Sequence, residues 1–565
     1  MSSKALQPVA SWRFFVVVAL LSLLFCALAW RITSLQVLAG DGGFEFLQDQ
    51  GDARTIRFAE IPAHRGSITD RHGAPLAVST PVISLWVNPR QIDGKTQAIQ
   101  SLAVALKVKP RQLLARIEKS RTKHFLYLER HMKPADAREI LALRLPGVYG
   151  EREYRRFYPA AEVAAHVVGI TNVDDLGIEG MELAYNDWLR GSPGKKRYVK
   201  DLAGDLVRDL GVETSADPGR NMVLSIDLRL QYLAYRELQA AIQRTGARSG
   251  SVVSLDARTG EVLAMVNYPT YNPNRSQDFG FDRFRNRAVT DVLEPGSTVK
   301  PLSILAALES GHYSPDTLVD TSPGRLRVGQ KMVLDPVNYG TIPVWKVIAK
   351  SSQVGTSKIA LSLEEGAIRE MYARFGLGES LGSGFPGEST GELPQRTKWL
   401  PIETVTLAYG YGLSVTPLQL AQAYIILANE GRRLPVSLLK VDETPPGEQV
   451  VAAKLANRML KMMARVTNKG GTATRAAIQG YSSGGKTGTA HKAAAGGYSE
   501  DRYVAAFAGI APIGNPRLVT VVVINEPQGD RYHGGEVAAP VFSRVMSQSL
   551  RLLNVTPDEL PERSA

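Results

Sequence analysis

The chain has 565 residues and a mass of 61.5 kDa, which is too long for one ordinary hydrophobic core, so two or more domains are predicted. Hydrophobic residues make up 44% and charged residues 22% of the sequence, and these values exclude a disordered chain and a fibrous rod. The net charge of +12 is scattered, with no signal of a nucleic-acid-binding module even in its densest run, 194–200, so we expect no nucleic-acid partner.

An uncharged apolar run near the N-terminus, residues 14–30, has the length of a membrane span. Its 17 residues lie near the short end of the roughly 17–25 that cross a bilayer. Arg13 and Arg31 bracket the run, and Trp12 and Trp30 place amphipathic rings at its two ends, where such rings prefer the interface. We predict a cytoplasmic tail and a transmembrane anchor, over 1–13 and 14–32.

A cleaved signal peptide is the alternative interpretation of this run. The sequence Ala27-Leu28-Ala29 fits a cleavage site, but the run is longer than the roughly 7–15 apolar residues of a signal core. Lys4 and Arg13 precede the run, which favours a cytoplasmic N-terminus and places the rest of the chain outside the cytoplasmic membrane. Cys26, the only cysteine, would lie in the membrane, and it excludes an internal disulfide.

The pattern of the chain changes near residue 220. Before it, from 33 to 220, short strands and turns with helical patches at 96–118 and 134–143 predict an irregular α+β domain. After it, we predict a helix around 230–242, strands at 251–255, 261–266, 503–510 and 518–525, and a final helix at 538–554. Strands from both ends that enclose a helical block predict one mixed sheet flanked by helices, an α/β domain over 221–555 with a short tail over 556–565.

A serine followed three residues later by a lysine lies in the sequence Glu294-Pro295-Gly296-Ser297-Thr298-Val299-Lys300-Pro301. Pro301 has no N–H, so a helix must begin within about four residues before it. Ser297 and Lys300 would then share one face of the helix. A lysine without water around it can lose its charge and take the serine proton. The alternative is a capping serine beside a surface lysine.

Two further polar segments follow at longer range. Gly485-Lys486-Thr487-Gly488-Thr489 places a cation and two hydroxyls among glycines, a pattern that suits the binding of a carboxylate along a strand edge. A glycine-rich hairpin is the alternative. Ser351-Ser352-Gln353 offers a hydroxyl and an amide between the other two segments. The eight histidines form no metal-binding cluster, so we expect no metal and no other cofactor.

The order S-x-x-K, then a serine-rich turn, then K-T-G resembles the signature of penicillin-binding proteins. The chain is similar over nearly its whole length to class B penicillin-binding proteins, and among them to the division-type, septal enzymes. The residues that carry this resemblance, besides the three segments above, are at 65–73, 156–159, 177–182, 268–274 and 409–420.

The resemblance implies a peptidoglycan D,D-transpeptidase that cross-links stem peptides through an acyl-enzyme and is acylated by β-lactam antibiotics. It implies a nucleophile, a base, a proton relay and a carboxylate-binding cation at Ser297, Lys300, Ser351 and Lys486. It implies substrate-binding residues at Gln353, Thr487, Gly488 and Thr489. The backbone N–H groups of Ser297 and Thr489 would form the oxyanion hole.

One position departs from the family pattern, because the middle motif is S-x-N and residue 353 is Gln. The family resemblance makes 33–220 a non-catalytic pedestal without a glycosyltransferase segment. It implies a single-pass inner-membrane enzyme with a periplasmic catalytic domain, with a membrane glycosyltransferase and other division proteins as partners. A β-lactam sensor or scaffold, an anchored β-lactamase and a D,D-carboxypeptidase remain alternative functions.

Overall fold

The computed structural model describes residues 11–36, 56–92, 96–200, 206–275, 281–494 and 497–559. Residues 1–10 of the predicted cytoplasmic tail and residues 560–565 of the predicted C-terminal tail lie outside the described residues. The chain forms two compact units: Met1–Ala63, Val82–Glu153 and Ser192–Pro218 make the first, and His64–Pro81, Tyr154–Gly191 and Gly219–Ala565 the second. The second unit therefore includes two segments of the predicted pedestal, and the boundary at residue 220 stays a prediction.

The predicted anchor lies within one long helix, Ser11–Gln36. At about 1.5 Å per residue, this helix exceeds the roughly 30 Å of a bilayer's hydrocarbon core. Its large apolar side chains are exposed, as expected of a surface that faces lipid. Among the described residues it is the one helix that is long and apolar enough to cross a membrane.

The first unit contains a small core and a separate ribbon of strands. The ribbon is an antiparallel sheet of Ile56–Ile61, Gly194–Lys200 and Leu206–Thr214. The predicted helical patches form three helices, Thr96–Ala105, Pro110–Lys119 and Pro134–Ala142, and the last two carry proline in their first turn. The accompanying strands are Leu126–Met132, the N-terminal part of Val148–Phe157 and the C-terminal part of Pro75–Val87. Leu85, Leu102, Ile117 and Ile140 are buried in the core of this unit.

The second unit is built on a five-stranded sheet. In spatial order its strands are Val262–Tyr268, Ser249–Asp256, Leu518–Asn525, Gly497–Ala511 and Gly484–Ala494. The prediction that strands from both ends of the domain share one sheet is confirmed, but the prediction of a mixed sheet is wrong. Every neighbouring pair is antiparallel. Three of the four pairs are consecutive strands joined by short connections, which allow only antiparallel pairing.

Helices flank this sheet, so the predicted α/β architecture is confirmed. Leu228–Thr245 packs on Val262–Tyr268 and on the last helix, Ala539–Leu552. Pro417–Ala428 is buried along its whole length, as expected of a helix that is apolar on every side. The other helices of eight or more residues are Lys300–Glu309, Gln353–Leu361, Ala367–Arg374, Pro401–Ala408 and Ala453–Thr467.

Shorter elements complete the second unit. The short helices are Ala165–Val168, Gly180–Ala184, Asn186–Arg190, Phe281–Phe284, Arg287–Thr290, Val344–Lys350 and Gly534–Val537, with 3₁₀ turns at Ala161–Val163, Gly296–Val299 and Thr474–Ala476. The short strands are Ile68–Thr69, Met222–Val223, Leu318–Asp320, Arg325–Val328, Lys331–Leu334, Thr341–Pro343, Arg432–Arg433 and Glu448–Gln449.

Three of the sequence segments that carry the family resemblance meet in one buried ionic cluster of the second unit. Glu182 receives hydrogen bonds from Nε of Arg65 at 2.7 Å and from Nε of Arg156 at 2.6 Å. All three side chains are almost completely buried. A fourth segment joins nearby, where Asn274 exchanges hydrogen bonds with the backbone of Tyr158. These segments therefore have a structural role in packing the second unit.

Candidate active site

The candidate nucleophile, Ser297, lies in a tight turn that leads directly into a buried helix. The turn is a 3₁₀ segment, Gly296–Val299, and the α-helix Lys300–Glu309 follows it with Pro301 in its first turn. A 3₁₀ segment has three residues per turn, so it favours the alignment of Ser297 with Lys300 that the sequence spacing predicts. Ser297 is partly exposed, whereas the residues on both sides of it are buried.

Backbone contacts from a glycine-rich loop fix the position of this nucleophile turn. The N–H of Gly296 donates to the carbonyl oxygen of Gly410 at 3.0 Å. Gly410 has φ +90°, and a Cβ atom there would lie 2.0 Å from the carbonyl oxygen of Gly296, so only glycine fits. From the other side, the buried Tyr424 hydroxyl donates to the carbonyl of Thr298 at 2.7 Å.

The candidate base, Lys300, is completely buried and follows Ser297 by three residues, about one helical turn. Its Nζ donates to the carbonyl oxygen of Ser351 at 2.7 Å and lies 3.4 Å from the Ser351 hydroxyl. Burial lowers the pKa of Lys300 to about 7, while the nearby Asp335 carboxylate opposes part of this effect. A large share of Lys300 is therefore an uncharged amine at neutral pH, the form that can accept a proton.

Ser351 lies at the point where both candidate lysines converge. It ends the short helix Val344–Lys350 in a left-handed conformation, with φ 56° and ψ 33°, which is uncommon for a residue with a side chain. Its hydroxyl accepts a hydrogen bond from Nζ of Lys486 at 2.9 Å. A strained backbone at such a position is typical of residues whose geometry serves function.

Gln353 begins the next helix, Gln353–Leu361, and Asp335 caps that helix. The Asp335 carboxylate accepts from the backbone N–H of Gln353 at 2.5 Å and from that of Val354 at 3.2 Å. It also accepts from the Ser352 hydroxyl at 2.5 Å. An anionic cap at a helix N-terminus satisfies donors that would otherwise have no partner. Asp335 thus sets the orientation of the segment that carries both Ser351 and Gln353.

The K-T-G segment lies on the strand Gly484–Ala494, at one edge of the five-stranded sheet. Lys486 is completely buried, and its Nζ contacts the carbonyl and the hydroxyl of Thr487 at 3.1 and 3.3 Å. Burial, reinforced by the positive charge of Lys300, lowers the pKa of Lys486 well below its usual value. Thr487 and Thr489 are partly exposed, so part of each residue can contact a bound substrate.

Gly488 lets this strand approach the nucleophile turn closely. A Cβ atom at Gly488 would lie 2.8 Å from the side chain of Thr298 and 2.9 Å from the carbonyl oxygen of Pro295. Any other residue would push the strand away from Ser297. The Thr489 hydroxyl accepts a hydrogen bond from the N–H of Gly534 at 3.1 Å, which anchors the strand from its outer side. The eight candidate site residues therefore belong to three segments that contact one another, because Lys300 and Lys486 both bond to Ser351 and Gly488 packs on the turn that carries Ser297.

Comparison with known proteins identifies the family of this chain. The family model of the penicillin binding protein transpeptidase domain matches residues 250–547, and that of the penicillin-binding protein dimerisation domain matches residues 60–224. The chain is 42% identical to the peptidoglycan D,D-transpeptidase FtsI of Escherichia coli K12, over 97% of this chain and 93% of that protein. It belongs to the class B penicillin-binding proteins.

Other relatives extend the similarity to further species and to solved structures. The chain is 41% identical to the probable peptidoglycan D,D-transpeptidase PbpC of Pseudomonas aeruginosa, over 98% of both chains. The transpeptidase domain of Burkholderia pseudomallei penicillin-binding protein 3 is 40% identical, with a TM-score of 0.55, and covers 60% of this chain and 98% of that one. Penicillin-binding protein 3 of Mycobacterium tuberculosis, complexed with aztreonam, is 29% identical, with a TM-score of 0.69, over 89% of this chain and 98% of that one.

Several residues that shape the site of this penicillin-binding protein are not predicted as site residues by the sequence. Asp335, Gly410 and Tyr424 each contact a motif residue from a distant segment, and none belongs to a short motif with a known chemistry. The sequence 409–420, which includes Gly410, indicates only the family resemblance, and Asp335 and Tyr424 carry no signal at all. Within the described residues, no group of three or more His, Cys, Asp or Glu side chains has an arrangement that suits a metal ion.

Proposed function

We propose that this penicillin-binding protein is a division-type peptidoglycan D,D-transpeptidase that cross-links stem peptides at the septum with Ser297 as its nucleophile. The observation that carries the proposal is the convergence of two buried lysines on Ser351, beside a serine that starts a helix, in a chain that is 42% identical to a D,D-transpeptidase over nearly its full length. Peptidoglycan is the substrate, and β-lactams bind at the same serine.

In the proposed acylation step, uncharged Lys300 takes the hydroxyl proton of Ser297, and the serine oxygen attacks the carbonyl carbon of the penultimate D-Ala. Negative charge develops on the carbonyl oxygen, where the N–H groups of Ser297 and Thr489 stabilise it. The peptide C–N bond then breaks, and the proton reaches the amine of the departing D-Ala through Ser351. The product is an ester between Ser297 and the stem peptide.

In the proposed transfer step, an amine of a second stem peptide attacks this ester. Its surplus proton returns to the Ser297 oxygen by way of Lys300, and a new peptide bond joins the two stems. Lys486, Thr487 and Thr489 hold the terminal carboxylate of the donor stem before it leaves, since N–H and O–H donors suit a carboxylate and its negative charge favours the protonated form of Lys486. Gly488 allows the donor backbone to lie along the edge strand, and the Gln353 amide binds the donor's peptide carbonyl.

The apolar N-terminal helix and the family membership indicate a single-pass protein of the inner membrane. We further propose that its N-terminus is cytoplasmic and its catalytic unit periplasmic, as the charges at Lys4 and Arg13 favour. A membrane glycosyltransferase would then supply the glycan strands, with other division proteins assembled around it. Protease added to spheroplasts tests the orientation, because it should digest the second unit without lysis of the cells.

The reaction itself is tested with purified protein, a stem peptide that ends in D-Ala-D-Ala, and a second stem with a free acceptor amine. Mass spectrometry should detect free D-Ala and a cross-linked dimer of the stems in equal amounts. Release of D-Ala with hydrolysed donor and no dimer would indicate a carboxypeptidase instead. Acylation without any turnover would indicate a sensor or scaffold.

A further inference from the structure

Glu294, three residues before Ser297, connects three separate segments of the second unit through one oxygen atom. Its Oε1 accepts hydrogen bonds from the N–H of Gly412 at 2.8 Å and from the Tyr498 hydroxyl at 2.9 Å. Tyr498 lies in the strand Gly497–Ala511, directly opposite Ala493 of the strand that carries the K-T-G segment. The contact therefore joins the nucleophile turn to the tip of the hairpin made by these two strands.

The surroundings of this contact favour a fixed geometry. The Tyr498 ring packs edge-to-face on Tyr411, with ring centroids 5.4 Å apart. The Tyr411 hydroxyl accepts a hydrogen bond from the N–H of His491 on the facing strand, at 3.4 Å. Burial and the nearby Glu294 carboxylate raise the pKa of Tyr498, so its hydroxyl keeps the proton that it donates.

The charge of Glu294 suits this linking contact. Hydrogen bonds to an ionised carboxylate are about twice as strong as those between neutral groups. Both bonds at Oε1 are of this kind, one from a backbone N–H and one from a hydroxyl. A neutral side chain of the same size would therefore hold Gly412 and Tyr498 less firmly.

Glu294 links the segment that carries one donor of the proposed oxyanion hole to the strand that pairs with the carrier of the other donor. One donor, the N–H of Ser297, lies in the nucleophile turn, and the other, the N–H of Thr489, lies in the edge strand. An oxyanion hole functions only when both donors are held at hydrogen-bond distance from one atom of the substrate. The close contact at Gly488 fixes one end of this arrangement, and the hydrogen bond between Glu294 and Tyr498 fixes the end nearer the hairpin tip.

We propose that Glu294 is a positioning residue, which ties the hairpin to the nucleophile turn through Tyr498 and so sets the spacing of the two oxyanion donors. This inference rests on the proposed function, since it assigns a role in the acylation of Ser297. If this is correct, the hydrogen bond between Glu294 and Tyr498 contributes little to the first, reversible binding of a β-lactam. The same hydrogen bond contributes to the next step, in which the Ser297 oxygen bonds to the β-lactam carbonyl carbon.

The test is stopped-flow acylation by one penicillin, which separates the reversible dissociation constant from the acylation rate constant. Tyr498→Phe removes only the hydroxyl from a half-exposed ring, so the protein should fold and melt as before. We expect the rate constant to fall about tenfold, as for one hydrogen bond to a charged group. The dissociation constant should change less than about twofold. The matched control is Tyr481→Phe, which loses a hydrogen bond to the carbonyl of Val555, a residue outside the candidate site, and should leave the rate unchanged.

A second pair of variants tests whether Glu294 is the partner through which Tyr498 acts. Glu294→Ala should slow acylation at least as much as Tyr498→Phe, and the double variant should be no slower than Glu294→Ala alone. A wild-type rate in Tyr498→Phe, or a full additional loss in the double variant, would overturn the inference. Wild-type protein that is not acylated at Ser297 would instead overturn the proposed function, so the two failures are distinguishable.

Discussion

Lys300 and Lys486 are both completely buried, and both donate a hydrogen bond to Ser351. The Nζ atom of Lys300 lies 2.7 Å from the Ser351 carbonyl oxygen, and that of Lys486 lies 2.9 Å from the hydroxyl of the same residue. Burial lowers the pKa of each lysine, and the charge of Lys300 lowers that of Lys486 further. This pair of lysines therefore favours the loss of a proton from one of them. The uncharged amine that results lies at Ser351, in the same cluster as the candidate base Lys300.

The rate of acylation should depend on pH through Lys300. Its folded pKa is about 7, and the uncharged form acts as the base, so the rate should rise as pH increases through about 7 and level off above it. The measurement is the second-order acylation constant with one β-lactam between about pH 5.5 and 8.5, with thermal melting as a control for folding. A rate that is flat or falls over this range would contradict the assignment of Lys300 as the base.

Asp335→Asn should change both the rate and its pH dependence. The Asp335 charge raises the pKa of Lys300, so its removal should move the midpoint of the pH profile to lower pH. Loss of the anionic cap should also loosen the start of the Gln353–Leu361 helix and lower the maximal rate by up to about tenfold. A role limited to stability would lower the rate without moving the midpoint.

The matched control for this variant is Asp320→Asn. Asp320 also accepts a backbone hydrogen bond, from the N–H of Ser322 at 2.8 Å, but it is exposed and has no contact with either lysine. Its replacement should leave the midpoint and the maximal rate unchanged. An equal shift in both variants would mean that Asp335 has no specific effect on Lys300.

Gln353→Asn should slow acylation. The backbone N–H of Gln353 is held by Asp335 at 2.5 Å, so the main chain cannot follow a shorter side chain toward the substrate. The amide would then retreat by about one bond length, and loss of its hydrogen bond should lower the acylation rate constant by about three- to tenfold. Single-turnover kinetics of the two proteins with the same β-lactam measures this effect. A faster variant would show that the pocket fits Asn better than Gln. An equal rate would show that the side chain of residue 353 makes no contact that matters for acylation.

Glu182→Ala should destabilise the second unit strongly. The variant leaves the buried guanidinium groups of Arg65 and Arg156 without their common carboxylate, and loss of one partner of a buried ion pair costs about 3–5 kcal/mol. Urea denaturation of the full chain in detergent measures the loss. The control is Glu309→Ala, which breaks the exposed pair with Arg374 and should cost less than about 1 kcal/mol. Similar losses in the two variants would contradict a structural role for the buried cluster.

The sequence indicates those parts of the site that depend on local pattern. Ser297 and Lys300 are close in the chain, and Pro301 restricts where their helix begins, so their relative position follows from short-range geometry. The K-T-G strand is equally local. Asp335 could not be predicted, because Ser352 and Gln353, which it contacts, are 17 and 18 residues away along the chain. A contact at this separation produces no periodic pattern in the sequence.

Strand direction was the part of the fold that the sequence did not specify. Strands 251–255 and 518–525 have clear patterns, but they are separated by more than 250 residues of helices and loops. Nothing in their composition tells whether they pair parallel or antiparallel. In the structure, Val253 lies opposite Val521 in an antiparallel register, and this pairing brings the two ends of the domain together. It follows from packing of the whole unit and not from either strand alone.

Ser297 is the proposed nucleophile, and the position of a covalent label identifies the residue that reacts. The full-length protein and Ser297→Ala are incubated with a fluorescent penicillin, digested, and mapped by mass spectrometry, with circular dichroism as the check on folding. We expect one labelled peptide in the wild-type protein, modified at Ser297, and no label in the folded variant. A label that persists in Ser297→Ala, mapped to another residue, would show that Ser297 is not the nucleophile.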